Sequence, residues 1–181
     1  MAIAGMTGIA ALAALISLLV FFAAGGPFGA INDYANGLVG ILSFGLAVAA
    51  YRAFGGGAAP VAAAGSGAVI TVIGWWLVVS DTTGFIFSGF VSTVGFALIG
   101  AWVLAVNRSG DLSAVLPPRW RRLGLAAGAA MAVGIIALAG IAMSIDSFEA
   151  TPPWLWIYGV GWFGTYLLYP SWCLLLARST R

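Results

Sequence analysis

Lysine and histidine are absent from this chain, and Cys173 is its only cysteine. Without lysine there is no Schiff-base attachment of retinal and no lysine nucleophile. Without histidine there is no histidine-ligated haem or chlorophyll, no serine–histidine dyad and no histidine-containing zinc site. A single cysteine excludes an internal disulfide and a Cys-x-x-Cys motif. The sequence therefore predicts no cofactor and no metal, and any catalysis would rest on Asp, Glu, Tyr, Ser or Thr.

Charged residues are also scarce. They make up only 7% of the chain, whereas a soluble domain carries about 25%. Hydrophobic residues make up 62%, and the mean hydropathy is +1.09. A surface this apolar is stable in lipid and not in water, so membrane lipids are the expected surroundings. The net charge of +2, with no long basic run, excludes nucleic acid as an expected partner.

Six apolar runs are long enough to cross a membrane. A helix needs about 20 residues, at about 1.5 Å each, to cross about 30 Å of hydrocarbon. The connections are short, and the longest covers residues 107–122. We therefore predict an all-α fold in which residues 1–181 form a single transmembrane domain, a six-helix bundle. The predicted spans are residues 3–25, 30–51, 58–80, 85–106, 123–144 and 154–177.

The distribution of arginine predicts the orientation of this bundle. With six spans, all seven basic residues lie on one side of the membrane. The positive-inside rule makes that side cytoplasmic, together with both termini. Four of the five acids then lie on the outer side, with Asp111 as the exception. The basic residues are Arg52, Arg108, Arg119, Arg121, Arg122, Arg178 and Arg181, and the outer acids are Asp33, Asp81, Asp146 and Glu149.

The first run has two interpretations, a membrane anchor and a cleaved signal peptide. It lacks a basic start, and its apolar core exceeds the usual length of about 7–15 residues, which favours the anchor. Basic residues that are all arginine, with abundant Ala and Gly, are typical of GC-rich prokaryotic coding. We therefore expect a multi-pass protein of the cell membrane, most simply a prokaryotic plasma membrane.

Polar residues cluster at the start of the second run, in FGAINDYANG (28–37). The apolar stretch after them provides only about 22 Å of helix, whereas a start near Ile31 provides about 31 Å. This length places the polar group at the outer membrane boundary, where Asn32 is a good N-cap and Asp33 meets the helix dipole. A plain cap needs one such residue, so Asn32, Asp33 and Asn36 are also candidates for a polar ligand site or for helix–helix hydrogen bonds.

Aromatic residues recur along the last run, WLWIYGVGWFGTYLLYPSWC. Trp154, Tyr158, Trp162 and Tyr166 are spaced by four residues, and Tyr169 continues the line with a slow drift. Such spacing places the rings on one helix face. One interpretation is tight packing against glycine-rich neighbours. The other is the aromatic wall of a pocket for an apolar or amphipathic ligand.

Other short motifs have mainly structural interpretations. Trp75 and Trp76 point about 100° apart, so one of them is expected to face inward. Oxygen-rich loops before the fourth and sixth spans predict helix caps at Asp81–Thr83 and Thr151. Ser88 and Ser92, like the GLAAG stretch at 124–128, indicate close helix packing. The candidate ligand-binding residues are Asn32, Asp33, Asn36, Trp75, Tyr158, Trp162, Tyr166 and Tyr169.

These observations favour a non-catalytic integral membrane protein with a hydrophobic or amphipathic ligand in an outward-opening pocket between helices. No acid lies in mid-span, which weakens the hypotheses of a proton-driven transporter and of a channel with a charged filter. A small-solute transporter or channel stays an alternative. A second alternative is an accessory or structural subunit, as a homo-oligomer or within a larger membrane complex. A third is a lipid- or terpenoid-processing enzyme that uses Asp33 or Glu149 as general acid.

Overall fold

The computed structural model describes residues 1–109 and 111–180, except for the side chain of Asp111. The structure is 85% helical, and the described residues contain no strand. Six helices are long and apolar enough to cross a membrane, which confirms the predicted all-α, six-helix fold. They are span 1 (Ala2–Ala24), span 2 (Phe28–Phe54), span 3 (Ala58–Val79), span 4 (Phe85–Arg108), span 5 (Pro118–Ala142) and span 6 (Pro153–Ser179).

The six spans form a closed ring. Each packs against its neighbours in sequence, and span 6 completes the ring by packing against span 1. Span 1 is an integral wall of this ring, since Ala4, Ala11 and Ala14 are fully buried. The Met1 amino group donates a hydrogen bond to Oγ1 of Thr180. The described ends of the chain therefore lie side by side at one end of the bundle.

Charges separate to the two ends of the ring. The described arginines lie at one end, here the arginine end, and four acids lie at the other, here the acidic end. Arg181 and the side chain of Asp111 lie outside the described residues. That the arginine end faces the cytoplasm stays a prediction. The arginine end holds Arg52, Arg108, Arg119, Arg121, Arg122 and Arg178, and the acidic end holds Asp33, Asp81, Asp146 and Glu149.

Span 5 begins earlier than predicted. Pro118 opens the helix and Pro117 precedes it as the N-cap residue, because a proline ring presets the helical φ and its missing N–H is not needed in the first turn. The segment before residue 123, predicted as loop, is therefore partly helical. Arg121 Nη2 donates to the Asn107 carbonyl oxygen at 3.0 Å. This bond ties the start of span 5 to the end of span 4.

Glycines let spans 3, 4 and 5 pack backbone to backbone. A Cβ atom at Gly74 would lie 2.8 Å from the Ser92 backbone nitrogen and 2.9 Å from the Ser88 carbonyl oxygen. A Cβ at Gly128 would lie 2.7 Å from the Gly100 carbonyl oxygen. Ser88, Ser92 and Gly128 thus lie at helix contacts, where small residues allow close approach as the sequence indicated.

Span 6 is irregular in the middle. Residues Gly164–Leu168 form a π-helical turn, in which the Tyr169 N–H donates to the Gly164 carbonyl oxygen. Pro170 follows directly and has no N–H to continue the regular α-helical ladder. The wider turn accommodates one extra residue, so the side chains after it are rotated by about 100° from the α-helical register. The predicted aromatic face therefore does not run straight along span 6.

The predicted local caps of spans 4 and 6 are wrong. Gly84 and Pro152 precede these helices without a side-chain cap from their own segments. Asp146, in the connection between spans 5 and 6, caps span 4 instead, accepting hydrogen bonds from the backbone N–H groups of Gly84 at 2.6 Å and Phe87 at 3.0 Å. Thr151 donates its hydroxyl to the Ser147 carbonyl oxygen at 2.9 Å. The caps depend on tertiary contact, which local sequence does not contain.

Candidate functional site

Asn32 lies inside the bundle and does not cap span 2. The helix begins at Phe28 with Pro27 as N-cap residue, so it starts one turn before the position that the length arithmetic predicted. Asn32 consequently faces span 1 and is only 1% exposed. Its Nδ2 donates to the Ala14 carbonyl oxygen at 2.8 Å. The predicted capping role of Asn32 is wrong, and the alternative of a helix–helix hydrogen bond describes its contact.

Asn36 extends this contact into a chain of three hydrogen bonds. Its Nδ2 donates to Oδ1 of Asn32 at 3.1 Å, and its own Oδ1 accepts from the Tyr166 hydroxyl at 3.0 Å. The chain joins spans 6, 2 and 1. Burying an amide costs free energy unless its polar atoms are paired, and this pairing offsets that cost. The amide oxygens of Asn32 and Asn36 are therefore held in fixed positions.

Asp33 is half-buried beside this chain and has no hydrogen-bond or ion-pair partner among the described residues. It lies in the second turn of span 2, not in the first turn as predicted. Arg52 lies on the same helix but about 28 Å away along its axis. The other described arginines lie at the arginine end as well. The carboxylate is therefore not neutralised by a described side chain.

A cavity of about 40 Å³, lined by polar and apolar side chains, separates these groups from spans 3 and 4. Every span except span 5 contributes to its walls. Trp162 closes one side, where its indole Nε1 donates to Oγ1 of Thr93 at 2.9 Å. Trp75 lies in the wall of span 3, and its buried Nε1 has no hydrogen-bond partner among the described residues. The polar lining consists of Asn32, Asp33, Asn36, Trp75, Ser88, Ser92, Thr93, Trp162 and Tyr166.

A larger groove of about 690 Å³ lies above the cavity at the acidic end. Its lining is dominated by aromatic and aliphatic side chains from the ends of spans 1 to 4 and from the connection between spans 5 and 6. Asp33, Val78 and Phe85 line both the groove and the cavity. Asp33 therefore lies at the junction between the large groove and the small cavity, in whose lining side chains with polar groups are more frequent. The phenylalanines of the groove are Phe21, Phe22, Phe85 and Phe148.

Most of the residues singled out in the sequence meet at the cavity. Tyr158 does not, because its ring packs edge-on against Phe90 and Trp162, each at a centroid distance of 5.1 Å. Tyr169 does not either, because it follows the π turn and donates its hydroxyl to Oγ of Ser43 at 2.9 Å. The six that line the cavity are Asn32, Asp33, Asn36, Trp75, Trp162 and Tyr166.

Other lining residues were missed as site residues. Ser88, Ser92 and Thr93 line the cavity on span 4, and the four-residue spacing of the two serines was the available signal. The sequence interpretation assigned that spacing to packing alone. The groove phenylalanines have no comparable signal, because they come from three separate segments.

Asp33 is the only carboxylate in the described lining of the cavity, beside amides, hydroxyls and indoles. Such a set offers one charge and several hydrogen-bonding groups, whereas hydrolysis by paired carboxylates needs a second acid. The chain matches no protein-family model, no curated protein and no solved structure.

Proposed function

We propose that this integral membrane protein binds an amphipathic ligand at its acidic end. The hydrocarbon part lies in the groove, and the polar part meets Asp33 and enters the cavity. The position of Asp33 carries this proposal, because the same carboxylate lines a groove with mainly aromatic and aliphatic side chains and a cavity in which amide, hydroxyl and indole groups are frequent. An amphipathic molecule has the same succession of apolar and polar parts.

The two volumes suit the two parts of such a ligand. Pockets for small organic molecules occupy about 300–1,000 Å³, and the groove, at about 690 Å³, lies in this range. The cavity, at about 40 Å³, is too small for a hydrocarbon chain but accommodates a small polar group. A lipid or terpenoid therefore fits only with its apolar part in the groove.

Selectivity must come from the polar part. A hydrocarbon chain gains little by moving from lipid to an apolar groove, because lipid tails are as apolar as the groove. The fixed amides of Asn32 and Asn36 and the carboxylate of Asp33 supply interactions that lipid tails lack. Tyr166 holds this arrangement from the π turn of span 6, a type of distortion that is frequent at functional sites.

Filling the groove tests the proposal. Ala30 is exposed and lines the groove, so Ala30→Trp should occupy the volume without disturbing the core. In nanodiscs of zwitterionic lipid, dodecyl-chain amphiphiles should raise the melting temperature of the wild-type protein by several degrees. Ala30→Trp should abolish most of that shift.

Ala101→Trp is the matched control, because Ala101 is exposed on span 4 and does not line the groove. This variant should keep the full shift in melting temperature. A wild-type protein that no amphiphile stabilises contradicts the proposal. An undiminished shift in Ala30→Trp contradicts it as well.

A further inference from the structure

We infer that the polar end of the ligand is a primary ammonium group, which forms an ion pair with Asp33 at the junction of groove and cavity. This inference rests on the proposed function and specifies the chemical class of its ligand. The site thus selects cationic single-chain amphiphiles, such as long-chain primary amines, over neutral and anionic ones.

Charge is the first argument. The Asp33 carboxylate is half-buried, and no described side chain forms an ion pair with it. A half-buried carboxylate without a counter-charge is costly, and a cation placed beside it removes much of that cost. The described arginines all lie at the far end of the bundle. A cationic ligand is therefore the complement that this end of the protein lacks.

Hydrogen-bonding capacity is the second argument. The Oδ1 atoms of Asn32 and Asn36 each accept one hydrogen bond in the described structure, and an amide oxygen has two lone pairs. Both residues line the cavity beside Asp33. An ammonium group carries three N–H donors and no acceptor. The carboxylate and the two amide oxygens together match this donor set.

The N–H donors of the head group provide the third argument. The cavity volume of about 40 Å³ exceeds the roughly 10–15 Å³ that one water molecule needs, so a primary ammonium group fits. A trimethylammonium group has no N–H to donate to the carboxylate and the amide oxygens. The site should therefore distinguish two cations of equal charge.

A panel of four amphiphiles, which share a dodecyl chain and differ in the head group, tests the inference. Dodecylamine, dodecyltrimethylammonium, dodecanol and dodecanoate are titrated into protein in zwitterionic nanodiscs, with empty nanodiscs as blank, and binding is measured by calorimetry. Dodecylamine is protonated at pH 7, as lysine is. It should bind the wild type at least about tenfold more tightly than each of the others.

The variants localise the preference. Asp33→Asn should remove the preference for dodecylamine, whereas Asp33→Glu, which keeps the charge, should retain part of it. Asp81→Asn is the matched control, because Asp81 is exposed at the same end and outside the groove and cavity. It should bind like the wild type. A preference that survives in Asp33→Asn overturns the ion pair.

The outcomes separate the inference from the proposed function. Equal affinity for dodecanol and dodecylamine, lost in Ala30→Trp, overturns the ammonium head while the groove remains a binding site. Equal affinity for the primary and the trimethylated head overturns the requirement for N–H donors and with it the primary ammonium. Absence of binding for every member of the panel overturns the proposed function itself.

Discussion

Asn36 uses both ends of its side chain, and this makes it the most informative single residue of the site. Its amide nitrogen donates to Asn32 and its oxygen accepts from Tyr166, so one side chain joins the π turn of span 6 to span 1 through Asn32. Interhelical hydrogen bonds within membranes contribute modestly, because the unfolded helices also find partners. The chain is therefore expected to position the amide oxygens more than to stabilise the fold.

A double-mutant cycle tests the link between Asn36 and Tyr166. Asn36→Ala and Tyr166→Phe should each lower the free energy of unfolding in mixed micelles. Their coupling energy should lie between about 0.6 and about 1.7 kcal/mol, the average and the maximum for interhelical hydrogen bonds within a membrane. Tyr34→Phe is the matched control, because Tyr34 lies in the same stretch but is 56% exposed. Coupling of Asn36→Ala with Tyr34→Phe should be near zero, and equal coupling of both pairs contradicts the assigned chain.

Asn32 illustrates what the sequence could not predict at this scale. The stretch FGAINDYANG marked the correct residues as unusual, because a plain cap needs fewer polar groups. Whether Asn32 caps span 2 or forms a hydrogen bond to another helix depends on where span 2 begins. It begins at Phe28, because Pro27 can precede the first turn. Its partner, the Ala14 carbonyl group, belongs to another helix. Helical periodicity contains no information about that contact.

At the scale of elements, the close approach of spans 3 and 4 forms one wall of the cavity. Gly74 allows this approach, because a Cβ at that position would meet backbone atoms of Ser88 and Ser92. Backbone atoms cannot move aside as a flexible side chain can. The two spans would have to separate, and the cavity between them would change shape.

Gly74→Ala should therefore lower the free energy of unfolding by about 1–3 kcal/mol, the usual cost of overpacking. Gly159→Ala is the matched control, since no atom lies within 4 Å of a Cβ built there. That change should leave stability unchanged or raise it by up to about 1 kcal/mol, the difference in helix propensity between glycine and alanine. Chemical unfolding in micelles measures both, and equal effects contradict the close packing at Gly74.

The irregular turn of span 6 marks a second limit of sequence reasoning. The π turn at Gly164–Leu168 lies just before Pro170, which has no N–H to donate. The four-residue spacing predicted one aromatic face, but it assumes a regular helix throughout. The extra residue of the π turn directs Tyr169 to Ser43, while Trp162 and Tyr166 line the cavity. The four-residue spacing therefore predicted the shared position of Trp162 and Tyr166 but not the positions of Tyr158 and Tyr169.

For the whole molecule, the lengths of the apolar runs were sufficient to predict six spans. Helix rise and hydrocarbon thickness together fix the number of residues that one spanning helix needs. The assembly of the site was beyond such reasoning. Side chains from five of the spans line the cavity, and the groove joins the ends of four spans to Phe148 in a loop. These contacts depend on the order of helices around the ring, which the lengths of the runs do not specify.

Orientation in the membrane is the prediction that belongs to this scale. Cys173 is buried, so an impermeant maleimide should report only on engineered cysteines in intact cells. Glu149→Cys, exposed at the acidic end, should be labelled from outside, because the arginine end is expected in the cytoplasm. Ser113→Cys, exposed at the arginine end, should be labelled only after permeabilisation. The reverse pattern contradicts the predicted orientation and places the groove on the cytoplasmic side.

The central claim is that the groove at the acidic end holds the chain of an amphipathic ligand, and photo-cross-linking tests it most directly. A dodecyl amphiphile with a diazirine in mid-chain is irradiated with the protein in nanodiscs, and the adducts are located by peptide mass spectrometry. We expect adducts at Phe21, Phe22, Phe85 and Phe148, which line the groove. Unlabelled ligand should displace these adducts, and Ala30→Trp should remove them. Adducts spread over lipid-facing residues such as Ile9, Ile16 and Leu38, without saturation, would contradict it.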